Sequence, residues 1–214
     1  MRKVDYDDIT GYLSSCDPVL ADLIKKVGPP KIEKPADNVF MALLRSIVSQ
    51  QLHTKAAATI YARLLSLLDG EISPEAICKI PYDALRSAGL SHNKANCVLD
   101  FAKKASTKEI CLDPSYIKKQ SDDEIIKSLC QVKGIGTWTV QMLLIFQLLR
   151  PDVWPSADLG VRRGYGLAWE TDMPTAKQLD VLGEKFKPYR SIAAWYCWRA
   201  VDIMADSDPK AQAD

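Results

Sequence analysis

The sequence predicts an all-α fold on three observations. Helix-start signals recur along the 214 residues, and the apolar residues between them return at helical spacing. No segment alternates apolar and polar residues with the two-residue period of a strand. A composition of 47% hydrophobic and 26% charged residues suits a folded chain with a substantial core. No internal repeat is evident, and the punctuation gives roughly ten short helices.

Taken in order, Asp17-Pro18 opens a helix carrying Leu20, Leu23, Ile24 and Val27, which Gly28 closes. Phe40, Leu43, Leu44, Ile47 and Val48 mark one buried helix face. Thr54 caps the next helix, through Ile60, Leu64 and Leu68 to Gly70. Ser73-Pro74-Glu75 starts another, and Ser91 another through Ala95, Val98, Leu99 and Ala102. Ser121 to Glu124 is a capping box ahead of Ile125, Ile126 and Leu129. Pro174-Thr175 and Pro188-Tyr189 precede the last two apolar helices. The linker candidate is Gly28 to Asn38, with three prolines, and the polar tail from Asp206 is expected to fray.

Several function classes fall away. No apolar run approaches the ~20 residues that span a bilayer, and the N-terminus is too polar for a signal peptide. An intracellular protein without a membrane partner is expected. Six cysteines, at 16, 78, 97, 111, 130 and 197, contain no CxxC pair, and His53 and His92 are the only histidines. That spacing fits neither zinc nor an iron–sulfur cluster, so buried free thiols are expected. A net charge of +1 decides nothing, because a small nucleic-acid footprint needs only a local basic patch.

The stretch VKGIGTWTVQMLLIF, Val132 to Phe146, sets a Gly-Ile-Gly hairpin before an apolar helix. Glycines let backbone N–H groups approach a ligand, and a helix start beside Lys133 favours an anion such as a phosphate. A plain helix–helix turn explains the same motif equally well. Downstream, PSADLGVRRG places Asp158 at a helix start, where it is an N-cap, a functional carboxylate, or both.

Together, VKGIGTWT and VWPSADLGVRRG resemble the hairpin and catalytic aspartate of the HhH-GPD DNA glycosylases. SIVSQQLHTKAA, AGLSHNKA and PYRSIAAWYCWR fit the same family in the same order, from about Phe40 to Arg199. The likeness points to the alkyladenine (3-methyladenine) glycosylases of the compact fungal type. It implies two helical lobes flanking a cleft: residues 38–150, with the helix-hairpin-helix at about 121–149, and residues 1–37 plus 151–214. It also implies a monomeric, nuclear enzyme that hydrolyses the glycosidic bond of alkylated purines in double-stranded DNA.

By that resemblance Asp158 is catalytic, and Trp138, Met142 and Trp198 form the base pocket, where indoles attract a cationic purine. Trp195 and Tyr196 read as core. His53, with Gln51 and Leu52, is the wedge that fills the gap left by an extruded nucleotide. Lys133, Gly134, Ile135, Gly136 and Thr137 are expected on phosphate, with Lys55, Lys94 and Arg163; Arg162 and Arg190 are further basic candidates. His92 reads as a surface-turn residue. No cofactor is expected, although carbonyls of Cys130, Val132 and Ile135 offer a site for Na+ or K+.

Two departures matter. Relatives commonly carry two successive acidic residues where this chain has Ala157-Asp158, and Ser156 is also unusual. This implies either a slow enzyme or a weakly active paralogue that binds and bends damaged or abasic DNA. Trp138 stands where strand-cutting relatives place a Schiff-base lysine, which implies a monofunctional glycosylase.

Overall fold

The computed structural model describes residues 6–33, 36–68 and 70–207, without the side chains of 204–207. The linker candidate's Lys34 and Pro35, and the tail from Asp208, lie outside the described residues. Described residues form helices joined by turns, with no strand among them, so the all-α expectation holds. The chain divides into two compact units. One comprises Met1–Glu33 and Leu148–Asp214, and the other Lys34–Gln147.

The first unit holds α1 (Tyr6–Cys16), α2 (Pro18–Val27), α11 (Leu159–Ala168), α12 (Ala176–Gly183) and α13 (Arg190–Ser207). Its core gathers Leu13, Leu20, Trp154, Val161, Phe186 and Tyr196, with Trp195 also buried. Helices α11 and α13 pack closely because α11 presents two glycines one turn apart. A β-carbon on Gly164 would stand 1.8 Å from the Cys197 carbonyl oxygen, and one on Gly160 would stand 2.8 Å from Trp198 Cδ1. A side chain at Gly164 would drive the helices apart, and one at Gly160 would displace the Trp198 indole.

Asp17 ties the N-terminal segment into this unit. It caps α2 by accepting from the Leu20 amide at 3.0 Å, and accepts from the Trp169 indole at 3.2 Å and from Lys185 Nζ at 2.5 Å. The Lys185 ammonium lies 5.1–6.0 Å from the ring centres of Phe186, Trp169 and Tyr165, so the cation has aromatic faces as well as a carboxylate.

The second unit holds α3 (Val39–Ser49), α4 (Thr54–Ser66), α5 (Pro74–Cys78), α6 (Tyr82–Ser87), α7 (His92–Ser106), α8 (Pro114–Ile117), α9 (Asp122–Leu129) and α10 (Thr137–Met142). A wider π-turn, Leu143–Gln147, continues α10. The apolar face of α3 is fully buried, and Phe40 stacks on Phe101 with centroids 5.0 Å apart.

The cap expectations hold at Asp17, Gly28, Ser73, Ser91 and Ser121. Thr54 is a correction: His53 occupies the N-cap position without a side-chain cap bond, and Thr54 is already helical. Helix α4 also ends at Ser66 rather than at Gly70. Of the thiols, Cys97 and Cys197 are buried but Cys78 is exposed.

The Asp17–Lys185 pair generates a pH prediction. Burial raises the proton affinity of Asp17, but hydrogen bonds from Lys185, Leu20 and Trp169 outweigh it and hold the carboxyl below 3.8. Burial opposes the charge on Lys185, and Asp17 overcomes it, leaving the ammonium above 10.5. A depressed carboxylate stabilises above its unfolded value and loses this as pH falls; a raised ammonium stabilises below its unfolded value and loses this as pH rises. The pair therefore contributes fully between 3.8 and 10.5. Asp17→Ala should cost about 2–4 kcal/mol at pH 7, since it removes both cap and partner. Lys185→Met should cost about 1 kcal/mol, because the ammonium is partly solvated. Urea unfolding should show both effects shrinking below pH 4.

Candidate active site and nucleic-acid interface

In the first unit, Asp158 caps α11. Its Oδ1 accepts from the Val161 amide at 2.8 Å and from the Trp198 indole Nε1 at 2.9 Å. One bond comes from its own helix and the other from α13, so together they fix the carboxylate's plane and direction. The bare α-carbon of Gly160 leaves the space the indole occupies. Asp158 and Trp198 are both half-buried, and Ala157 beside them is exposed. The capping reading of Asp158 holds, and the oxygen that caps α11 also takes the Trp198 indole.

In the second unit, the hairpin follows α9. Lys133 N–H donates to Asp100 Oδ2 at 2.8 Å, and Ile135 N–H donates to the Val132 carbonyl at 3.1 Å. Gly134 turns the chain at φ +87°, with its α-carbon facing Cys97, while Gly136 is extended and caps α10. Ile135 is buried as the hairpin's anchor, and Lys133 and Thr137 are exposed. Burial, with Asp100 nearby, pushes the Cys97 thiol up to about 12, so it behaves as a packing group. Trp138 is 48% exposed, which excludes a core role. Met142, one turn further along α10, is half-buried and lines a cleft of about 220 Å³ with Arg45, Thr139 and Phe146. The π-turn falls at this cleft, where it leaves Phe146 exposed.

The turn after α3 projects Gln51, Leu52 and His53, all exposed, with Gln51 in the left-handed region at φ 55°. It is braced by Gln50 N–H on the Ser46 carbonyl and Leu52 N–H on the Ser49 carbonyl, each at 3.1 Å. Gln50, which sequence reasoning missed, extends its Nε2 to the Gly134 carbonyl at 3.1 Å. No local signal marks it, because the acceptor lies 84 residues away. His92, the first residue of α7, is exposed and bonded to Tyr82 and Asn96.

The basic candidates separate into two groups. Lys94 Nζ donates to the Val48 carbonyl at 2.7 Å, and burial lowers its proton affinity. Arg162 Nε donates to the Pro174 carbonyl at 2.7 Å. Arg190 grips Asp152 with two bonds, at 2.7 and 2.9 Å. These three side chains make bonds within the fold, Lys94 to a carbonyl beside the turn. Lys55, Lys133 and Arg163 are exposed.

A model of the family described as HhH-GPD superfamily base excision DNA repair protein matches residues 44–188, spanning both the hairpin and Asp158. The chain belongs to this superfamily. It is 35% identical to DNA-3-methyladenine glycosylase 1 of Schizosaccharomyces pombe over 92% of this chain and 89% of that one. It is 32% identical to the alkylbase DNA glycosidase-like protein mag2 of the same yeast, over 92% and 95%. Among solved structures, S. pombe Mag1 in complex with abasic DNA superposes with a TM-score of 0.79 at 34% identity, covering 90% of this chain and 95% of that one. DNA-3-methyladenine glycosidase from Bacillus halodurans gives 0.84 at 30% identity, over 92% and 91%. The fold is that of the HhH-GPD proteins.

The two hairpin glycines should respond differently to alanine. Gly134→Ala forces a β-carbon into the left-handed region, 3.1 Å from Cys97 Sγ, and should cost about 1–3 kcal/mol. Gly136→Ala meets open space at an extended φ of −103° and should cost less, about 0.5–1 kcal/mol, the difference in N-cap preference between Gly and Ala. Thermal unfolding of the two variants checks this.

Proposed function

We propose that the chain is a monofunctional DNA glycosylase that hydrolyses the glycosidic bond of alkylated purines, 3-methyladenine and 7-methylguanine, in duplex DNA. The observation that carries the reading is the carboxylate of Asp158, oriented at a helix start by the Val161 amide and the Trp198 indole. An alkylated purine is a cation, so the base departs with the bonding electron pair as a neutral molecule and needs no acid catalyst. The sugar is left with oxocarbenium character. A fixed carboxylate opposes that charge and directs a water to the anomeric carbon, taking up the proton the water releases. Trp198 thus becomes a positioning residue for Asp158 rather than a simple pocket wall. Exposed Trp138 supplies the indole face for the cationic base, with Met142 beside it. Trp138 in place of a lysine supports hydrolysis without strand cleavage.

The hairpin would hold a phosphate. Since the amides of Lys133 and Ile135 already serve protein acceptors, the contact falls to Gly134, Gly136 and Thr137, with Lys133, Lys55 and Arg163 adding charge. A Na+ or K+ ion would sit on the carbonyls of Cys130, Val132 and Ile135. Val132 keeps one lone pair for it after accepting from Ile135. His53, Gln51 and Leu52 would enter the stack as the nucleotide leaves it. The protein would act as a monomer on DNA with alkylated bases or abasic sites, in the nucleus of a eukaryotic cell. Ala157 favours a second reading, a protein that binds abasic DNA and excises little.

Asp158→Asn keeps the capping oxygen and removes the charge. Excision of 7-methylguanine from an oligonucleotide duplex should fall at least about 100-fold, the scale of a lost electrostatic group, while abasic-DNA affinity stays within about threefold. Trp198→Phe keeps an aromatic ring but loses the Nε1 donor, and should lower kcat about tenfold with little change in binding. Wild-type protein that binds abasic DNA tightly and releases no base would establish the second reading.

Salt dependence separates the basic residues. Alanine at Lys55, Lys133 or Arg163 should each reduce the slope of log K against log salt by about 0.9. Alanine at Arg190 or Arg162 should leave that slope unchanged and lower thermal stability instead.

A further inference from the structure

The wedge turn and the hairpin have separate tasks on this reading, yet one helix grips both. Lys94, Cys97 and Asp100 recur every third residue along one flank of α7. Lys94 holds the Val48 carbonyl, two residues before the turn. Cys97 is the buried side chain on which Gly134 packs. Asp100 holds the Lys133 amide with one oxygen and Lys104 with the other. Gln50 then joins turn to hairpin directly. Its Nε2 donates to the Gly134 carbonyl at 3.1 Å and lies 3.5 Å from Thr139 Oγ1 on α10.

We propose that Gln50 is a positioning residue that locks the intercalating turn to the phosphate-binding hairpin, so that wedge and clamp move as one body. The proposal rests on the DNA-repair reading above. A stacked base step is about 3.4 Å deep, so a wedge must be held at a fixed height relative to the gripped phosphate. The turn's own backbone bonds run to Ser46 and Ser49 of α3 and not to the hairpin, while Gln51, Leu52 and His53 are exposed and His53 makes no side-chain cap bond. The amide of Gln50 reaches from the root of the turn to the residue that reverses the hairpin.

The test uses two variants. Gln50→Glu keeps the length but turns a carboxylate oxygen toward the Gly134 carbonyl; Gln50→Leu removes the donor at similar bulk. Each is compared with wild type on an intact duplex and on one with an abasic site beside 2-aminopurine, whose fluorescence rises on unstacking. Both variants are checked by circular dichroism for wild-type helix content. Intact-duplex affinity of Gln50→Leu should stay within about twofold, while its abasic preference falls about three- to tenfold, the weight of one hydrogen bond. The 2-aminopurine signal should shrink in both variants. Wild-type preference and signal in both would overturn the proposal. So would an equal loss on intact and abasic DNA in Gln50→Leu, which would mark Gln50 as a purely structural strut. A wild type without any abasic preference would overturn the DNA-repair reading itself, a different result from either variant's.

Discussion

The close crossing of α11 and α13 is the constraint on which the carboxylate site depends. Asp158 can receive the Trp198 indole only because α13 passes within reach of the first turn of α11. That approach requires hydrogen atoms where Gly160 and Gly164 stand. The same crossing buries Val161, whose amide supplies the other bond to Oδ1. One packing decision therefore sets the carboxylate's height, plane and hydrogen-bonding partner together. A methyl group on either glycine would be felt first as lost packing and then as a displaced oxygen, because cores transmit strain rather than absorb it. Asp17 and Lys185 secure the N-terminal helices of the same unit.

The second unit solves a different problem with different means. On the proposed reading its hairpin would offer backbone to a phosphate while staying rigid, and backbone that points at solvent has few partners of its own. Side chains from α7 and from the turn brace it at three points. Asp100 takes the Lys133 amide, Cys97 fills the space under Gly134, and Gln50 takes the Gly134 carbonyl. Burial drives the Cys97 thiol far above physiological pH, so it serves as an inert filler.

Much of the fold was legible in the sequence, and each failure has its own physical cause. Caps are local: Asp17, Ser73, Ser91 and Ser121 accept bonds from amides three residues on, and the residue types suffice to find them. Helix α1 was missed because YDDITGYLSSC carries only Ile9 and Leu13 as buried anchors around a central glycine. Helices α6 and α8, of six and four residues, are too short to show a period. Gln50, Lys94, Arg162 and Arg190 were unreadable because their partners lie 12 to 84 residues away. A basic side chain that will hold a carbonyl looks, in sequence, like one that will hold a phosphate. Asp158 was legible because its role as a cap and its place in the motif coincide.

The fate of the basic residues bears on where selectivity arises. With Lys94, Arg162 and Arg190 committed within the fold, the proposed footprint rests on about three cations and a few backbone amides, which gives a shallow salt dependence. Such contacts carry no base information. On the same reading the wedge would respond to how easily a stack opens. Discrimination among bases would then fall to the chemistry of the bond itself. A lone carboxylate without an acid partner can expel a base that already carries positive charge and leaves as a neutral molecule. A neutral purine would have to depart as an anion, and neither Asp158 nor Trp198 can donate the proton that prevents this. On this reading the selectivity for alkylated purines follows from what the site lacks as much as from what it holds.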